Sequence, residues 1–93
     1  MTTRIDVRCV PTTGGWSCTA TIDDGSGPPS THDISVSPDD LARLAPAAAE
    51  PTDLVRRSLE FLLEREPRGS ILSRFDLPVI GRYFPDYERT IRE

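Results

Sequence analysis

Residues 52–93 hold all three phenylalanines and both tyrosines of a 93-residue chain, and Pro67, Pro78 and Pro85 cut that stretch into short pieces. Proline has no N–H to donate, and its ring crowds the preceding turn, so it ends or kinks a helix. The C-terminal half is therefore restricted to several short helices wrapped around one core. A chain of this length is one domain. It buries a little under about 70% of its unfolded surface, enough for a single core.

The first half reads differently. Residues 4–10, RIDVRCV, and 16–22, WSCTATI, both alternate apolar with polar, as half-buried strands do. PTTGG between them is a turn signal. A turn centred on Thr13 and Gly14 pairs Cys9 with Cys18, Val7 with Ala20 and Ile5 with Ile22, so inward residues meet inward residues. A register shifted by two keeps that parity and separates the cysteines, and it stands as the alternative. DDGSGPPS, residues 23–30, is a loop by composition. A third strand follows at 31–37, with His32, Ile34 and Val36 on one face.

Ser37, Pro38, Asp39 and Asp40 form a helix start: a capping hydroxyl, a proline at the first position, and acids at the positive helix end. That helix covers 38–45, and APAAAEP after it is a linker. The main helix covers 52–66, with Thr52 as its N-cap. Leu54, Val55, Leu59, Phe61, Leu62 and Leu63 span an arc of about 200° at roughly 100° per residue. A surface helix needs a stripe of only about 100°. The helix must then be covered on two sides, by the sheet on one and by the C-terminal segment or a second subunit on the other. Ser70 starts a short turn carrying Ile71, Leu72 and Phe75, and Asp76 with Pro78 starts another helix. Helical turns complete residues 70–92. The expected class is α+β: a three-stranded antiparallel sheet (hairpin 4–22, strand 31–37) with short and long helices packed mainly on one face, all in one domain over 1–93.

The chain has no lysine, eleven arginines and nine prolines, a composition that suggests a GC-rich bacterial genome. Residues 1–50 carry three arginines against seven acids and residues 51–93 eight against eight, so the net charge of −4 lies in the first half. Polyanion-binding faces show a basic excess. None is visible, and nucleic acid is not an expected partner. No apolar run approaches the roughly 20 residues of a membrane span. MTTRIDVRC has no apolar signal core. A cytoplasmic protein is expected, with no membrane partner.

Residues that carry chemistry are sparse. Cys9 and Cys18 are expected to be reduced core thiols, as in most bacterial cytosols, ahead of a disulfide. A metal reading would add His32, one ligand short of a closed zinc site, and no CxxC supports it. His32 is the only histidine and a conceivable general base, but it lies on an inward face with no partnered nucleophile in the sequence. GxSxG, GxGxxG and P-loop patterns are absent. No catalytic residue, metal, cofactor or small-molecule substrate is expected. Phe61, Arg82, Tyr83 and Tyr87 are the interface candidates, because exposed aromatics beside arginine are enriched at protein interfaces.

The block SLEFLLEREPRGSILSRFDLPVIGRYFPDYE, residues 58–88, resembles a family of small bacterial proteins of unassigned function with a similar three-strand start. That resemblance implies a shared fold and no activity. Residues 32–64, a strand, helix, turn and helix, are similar in layout to ribbon-helix-helix DNA-binding proteins. GGWSCTATIDD before them is similar to the glycine-led strand of HicB-type antitoxins. The chain departs from the ribbon-helix-helix pattern in its short first helix, in a strand without Arg or Lys to read base edges, and in a hairpin that would pair with the strand in place of a partner chain. The expected function is a non-enzymatic protein-binding or assembly module for another protein or its own copy, with a dimer as one outcome. The alternative is a nucleic-acid-binding regulator of antitoxin type, and the third reading is a small enzyme using His32.

Overall fold

The computed structural model describes residues 3–92, which form β1 (Arg4–Thr12), β2 (Gly15–Asp23), β3 (Ser30–Val36), α1 (Pro38–Leu44), α2 (Thr52–Leu63), a 3-10 turn (Arg68–Ser70), β4 (Arg74–Asp76), α3 (Val79–Tyr83) and α4 (Tyr87–Arg92). The class is α+β. The sheet has four strands in the order β1-β2-β3-β4, not three, and is mixed: β4 runs parallel to β3. The fourth strand has a physical reason. Phe75 must be buried, and setting it beside Ile34 puts it on the core face of the sheet. Asp33 N–H then donates to Ser73 and Leu77 N–H to Ser35, which closes the edge of β3.

The β1–β2 hairpin takes the register that pairs Ile5 with Ile22, Val7 with Ala20 and Cys9 with Cys18. Its turn is Thr13-Gly14, and Thr12 faces Gly15. The register has a covalent consequence. Cys9 and Cys18 are joined by a disulfide, so the expectation of two reduced thiols is corrected. Direct cross-strand opposition holds their Cα atoms 4.0 Å apart, and strand parity had already put both side chains on one face. By loop closure alone, a bond over so short a loop stabilises by about 2–3 kcal/mol. Cys9→Ala/Cys18→Ala should lose about that much in urea melts. A loss below about 0.5 kcal/mol would show that the hairpin needs no cross-link.

Ser37 caps α1 in reciprocal fashion. Its hydroxyl accepts from Asp40 N–H at 3.1 Å, and its own N–H donates to the Asp40 carboxylate at 3.0 Å. Two corrections concern α2. Pro51, buried, occupies the N-cap position, and Thr52 is the first helical residue. The helix stops at Leu63 and not at 66. Arg65 and Glu66 N–H both turn back onto Leu62 O, because the residue before Pro67 is pushed out of the helical region. Asp76 likewise lies in β4, and α3 starts after Pro78.

The wide apolar arc of α2 is covered within the chain. Leu54, Val55, Leu59, Phe61 and Leu62 are all buried. The sheet covers one side. On the other, Phe61 meets Phe84 and Tyr87 edge-on at 5.9 and 5.3 Å between ring centroids. The Arg65 guanidinium lies 3.6 Å from the centre of the Phe61 ring and reaches Asp86 at 2.9 Å. Arg43 ties α1 to α4 through Glu88 at 2.6 Å. A radius of gyration of 12.6 Å matches the roughly 12 Å expected when a chain of this length closes on one core.

Gly15 is held at φ +136°, and a Cβ there would stand 2.2 Å from the Val36 carbonyl oxygen and 2.9 Å from Ser37 Cα. Both neighbours are backbone and cannot swing aside. A Cβ on Gly14 would meet nothing within 4 Å. Gly15→Ala should cost at least about 2 kcal/mol through strain and overlap, whereas Gly14→Ala should stay within about 0.5 kcal/mol. Thermal melts of the two variants, side by side, check the difference.

Candidate functional site

The short elements after α2 leave a half-open apolar cleft of about 390 Å³. Leu62 of α2 forms its floor, with Ile71, Phe75, Ile80 and Phe84 around it. Leu72 and Tyr83 stand at the mouth, 49% and 69% exposed. Glu66 is the one charged residue among the described residues of its lining. The cleft exists because three short elements in succession (the 3-10 turn, β4 and α3) are too short to fill the space beyond the end of α2.

His32 holds the backbone of Leu72, a residue of the cleft lining. The histidine is 3% exposed. Its Nδ1 donates to the Leu72 carbonyl at 2.7 Å, since a carbonyl only accepts. Its Nε2 lies 2.9 Å from the Ser30 hydroxyl, which donates to it when the ring is neutral. Both nitrogens are engaged by protein, and the ring ties β3 to the segment that leads into β4. Arg68 anchors the other end of that segment. It donates to Asp24 at 3.1 Å and to the Pro28 carbonyl at 3.0 Å. Hydrogen bonds from the Ser26 hydroxyl and N–H, then from Arg68, hold the Asp24 carboxyl well below the usual carboxylate range.

The four interface candidates divide by burial. Tyr83 is exposed at the mouth and Arg82 is exposed beside it on α3. Phe61 and Tyr87 are 4% and 1% exposed and belong to the core, which corrects the expectation of a shared surface patch. They are buried because α4 folds back onto α2. Ile71, Leu72, Phe75 and Glu66 join the site without being among the sequence candidates. The signal was present in the pair Ile71-Leu72: adjacent apolar residues in an extended segment face opposite ways, so one must point outward. Among the described residues no group of three or more His, Cys, Asp and Glu could hold a metal ion. No described helix is long and apolar enough to cross a membrane. Comparison with protein-family models, curated proteins and solved structures finds no match.

Behind the cleft, Ser58 and Tyr87 form a buried polar pair. Ser58 Oγ donates to the Leu54 carbonyl at 2.7 Å, so the Tyr87 hydroxyl donates to Ser58, also at 2.7 Å. Burial pushes the Tyr87 hydroxyl from its ordinary 10.0 up to about 12, against a smaller lowering by Ser58. Between those values the unfolded chain gives up its proton first. Stability should therefore be full below pH 10 and fall as pH rises toward 12, by at most about 1.4 kcal/mol per pH unit. Tyr87→Phe should remove that alkaline slope and cost about 1 kcal/mol at neutral pH. Ser58→Ala, which strands a buried hydroxyl, should cost about 1–3 kcal/mol. Urea melts from neutral pH to pH 11 measure both.

Proposed function

We propose that this protein is a non-enzymatic protein-binding module, and that its cleft takes one or two large apolar side chains of another protein's polypeptide segment flanked by a basic residue. The observation that carries the reading is the cleft itself, with Leu72 and Tyr83 presented at its mouth and Glu66 in its wall. A volume of about 390 Å³ is at the lower end of the range for ligand sites, which suits side-chain anchors better than a large cofactor. Exposed aromatic and aliphatic residues around a concave floor are the usual anchors of such contacts. Glu66 supplies the charge preference.

The other readings draw less support. A ribbon-helix-helix regulator pairs its strand with a partner's strand, but β3 is interior to the sheet, with β2 on one side and β4 on the other. The exposed sheet face mixes Asp6, Arg8, Asp33, Arg74 and Asp76, without the basic excess that phosphates require. An enzyme using His32 would need a free ring nitrogen, and Leu72 and Ser30 take both. Localisation turns on the disulfide. Such bonds persist in oxidising compartments and are reduced in most cytosols. A cytoplasmic copy of this protein would carry the hairpin without its cross-link.

Selection from a random peptide library tests the proposal. Enriched sequences should share large apolar residues next to Lys or Arg, and their binding should shift the amide resonances of residues 66–84. Leu72→Asp should weaken the selected peptides by about tenfold or more, the cost of setting a charge against an apolar contact. Val10→Asp, on the distant hairpin, should leave them unchanged. No enrichment, or shifts confined to the hairpin, would remove the reading.

A further inference from the structure

At the opposite margin of the sheet, β1 presents a long strand edge with no neighbouring strand among the described residues. Three observations fix which of its backbone groups point outward. The Cα atoms of Cys9 and Cys18 are 4.0 Å apart, the close spacing of a non-hydrogen-bonded antiparallel pair. The hairpin closes on Thr12 and Gly15 across a two-residue turn, which makes that pair the bonded one and sets the alternation from the other end. Pro11, with no N–H, then falls at an outward position, where an edge strand tolerates proline. The N–H and C=O groups of Ile5, Val7 and Cys9 therefore face away from β2.

We infer that this edge pairs with the β1 strand of a second copy, antiparallel, with the two-fold axis at Val7. The inference is independent of the cleft, which lies at the β4 end of the molecule. Centring on Val7 sets Ile5 opposite the second copy's Cys9 and Val7 opposite its own counterpart, so outward groups meet outward groups. On the solvent face Asp6 stands opposite Arg8 and Arg8 opposite Asp6, giving two ion pairs by symmetry. Arg4 stands opposite Val10, which is 51% exposed, and lays its apolar stem over it. On the core face Ile5, Val7 and Cys9 are each half-buried and gain cover. Neighbouring registers fail on charge. Moving the axis to Asp6 opposes Asp6 to Asp6 and Arg4 to Arg8; moving it to Arg8 opposes Arg8 to Arg8. Like charges directly opposed across strands destabilise. Alongside this edge, Arg56 of α2 shares a surface hollow with Asp6, Val7 and Arg8. Asp53 and Glu60, three and four residues from it, lie on the same side of the helix. The helix flanks that the pairing brings together thus also carry both signs. The product is one continuous eight-stranded sheet closed by a two-fold axis.

Sedimentation of the oxidised protein over a range of concentrations tests this, with circular dichroism to confirm folding. The wild type should sediment as a monomer–dimer equilibrium. Asp6→Arg alone and Arg8→Asp alone should each weaken the dimer by about tenfold or more, since each turns two attractive pairs into two repulsive ones. The double variant, Asp6→Arg with Arg8→Asp, restores opposite charges in the same register and should return to within about threefold of the wild type. Leu72→Asp should leave the dimer intact, which separates this surface from the cleft. A wild type that stays monomeric, a dimer indifferent to either reversal, or a double variant that fails to recover would each overturn the inference.

Discussion

Helix α2 is apolar around more than half of its circumference, and the rest of the molecule is arranged to cover it. One sheet face cannot do so alone. The remainder is met by the C-terminal turns, which place Phe84 and Tyr87 edge-on against Phe61. Arg65 closes the top of that contact by lying on the Phe61 ring while it bonds Asp86. The arrangement explains why residues with no long helix of their own hold a fixed path. β4, α3 and α4 each give one or two large side chains (Phe75, Ile80, Tyr87 and Ile91) to the core that α2 shares.

Polar groups inside this core act as ties between pieces that sequence separates widely. His32 links β3 to Leu72, and Ser58 links α2 to Tyr87. Among the described residues no buried side-chain nitrogen or oxygen lacks a partner. Paired in this way, buried polar groups cost little and select one packing over near alternatives; unpaired, each would cost about 1–3 kcal/mol. The single histidine belongs to this class. Its place on the inward face of a strand drew attention as chemistry, and its two hydrogen bonds make it a fastener.

The sequence was most legible where the repeat was short and the partner near. The period-two alternation of 4–10 and 16–22 decides which faces meet and leaves two hairpin registers, of which the structure takes the one that turns on Thr13-Gly14. Ser37 and Asp40 marked the start of α1 because capping is a contact across three residues. Legibility failed where the deciding contact lay far along the chain. Arg74–Asp76 has too few residues to show alternation, and it becomes a strand only because β3 lies beside it. Compartment argues for reduced thiols, whereas the register that turns on Thr13-Gly14 brings the two sulfurs together. Phe61 already stands on the apolar arc of the main helix, whereas Tyr87 is indistinguishable from Tyr83 by residue type. The burial of Tyr87 depends on how α4 folds back, which no local pattern records. The cleft was missed for the same reason, since it is a space left between elements.

The two sides of β3 are joined to it by very different lengths of chain. On one side, β2 connects through the loop before Ser30. On the other, β4 returns only after α1, the Ala/Pro linker, α2 and a 3-10 turn. Closing a contact between ends so far apart costs chain entropy before any bond rewards it, and such pairings form slowly. The hairpin and β3 can therefore assemble as a local unit while β4 waits for both helices to dock. On that ordering, β4 and the turns around it are the last structure gained. The cleft is built on that late-forming segment, so it takes shape against a hairpin and β3 that are already paired.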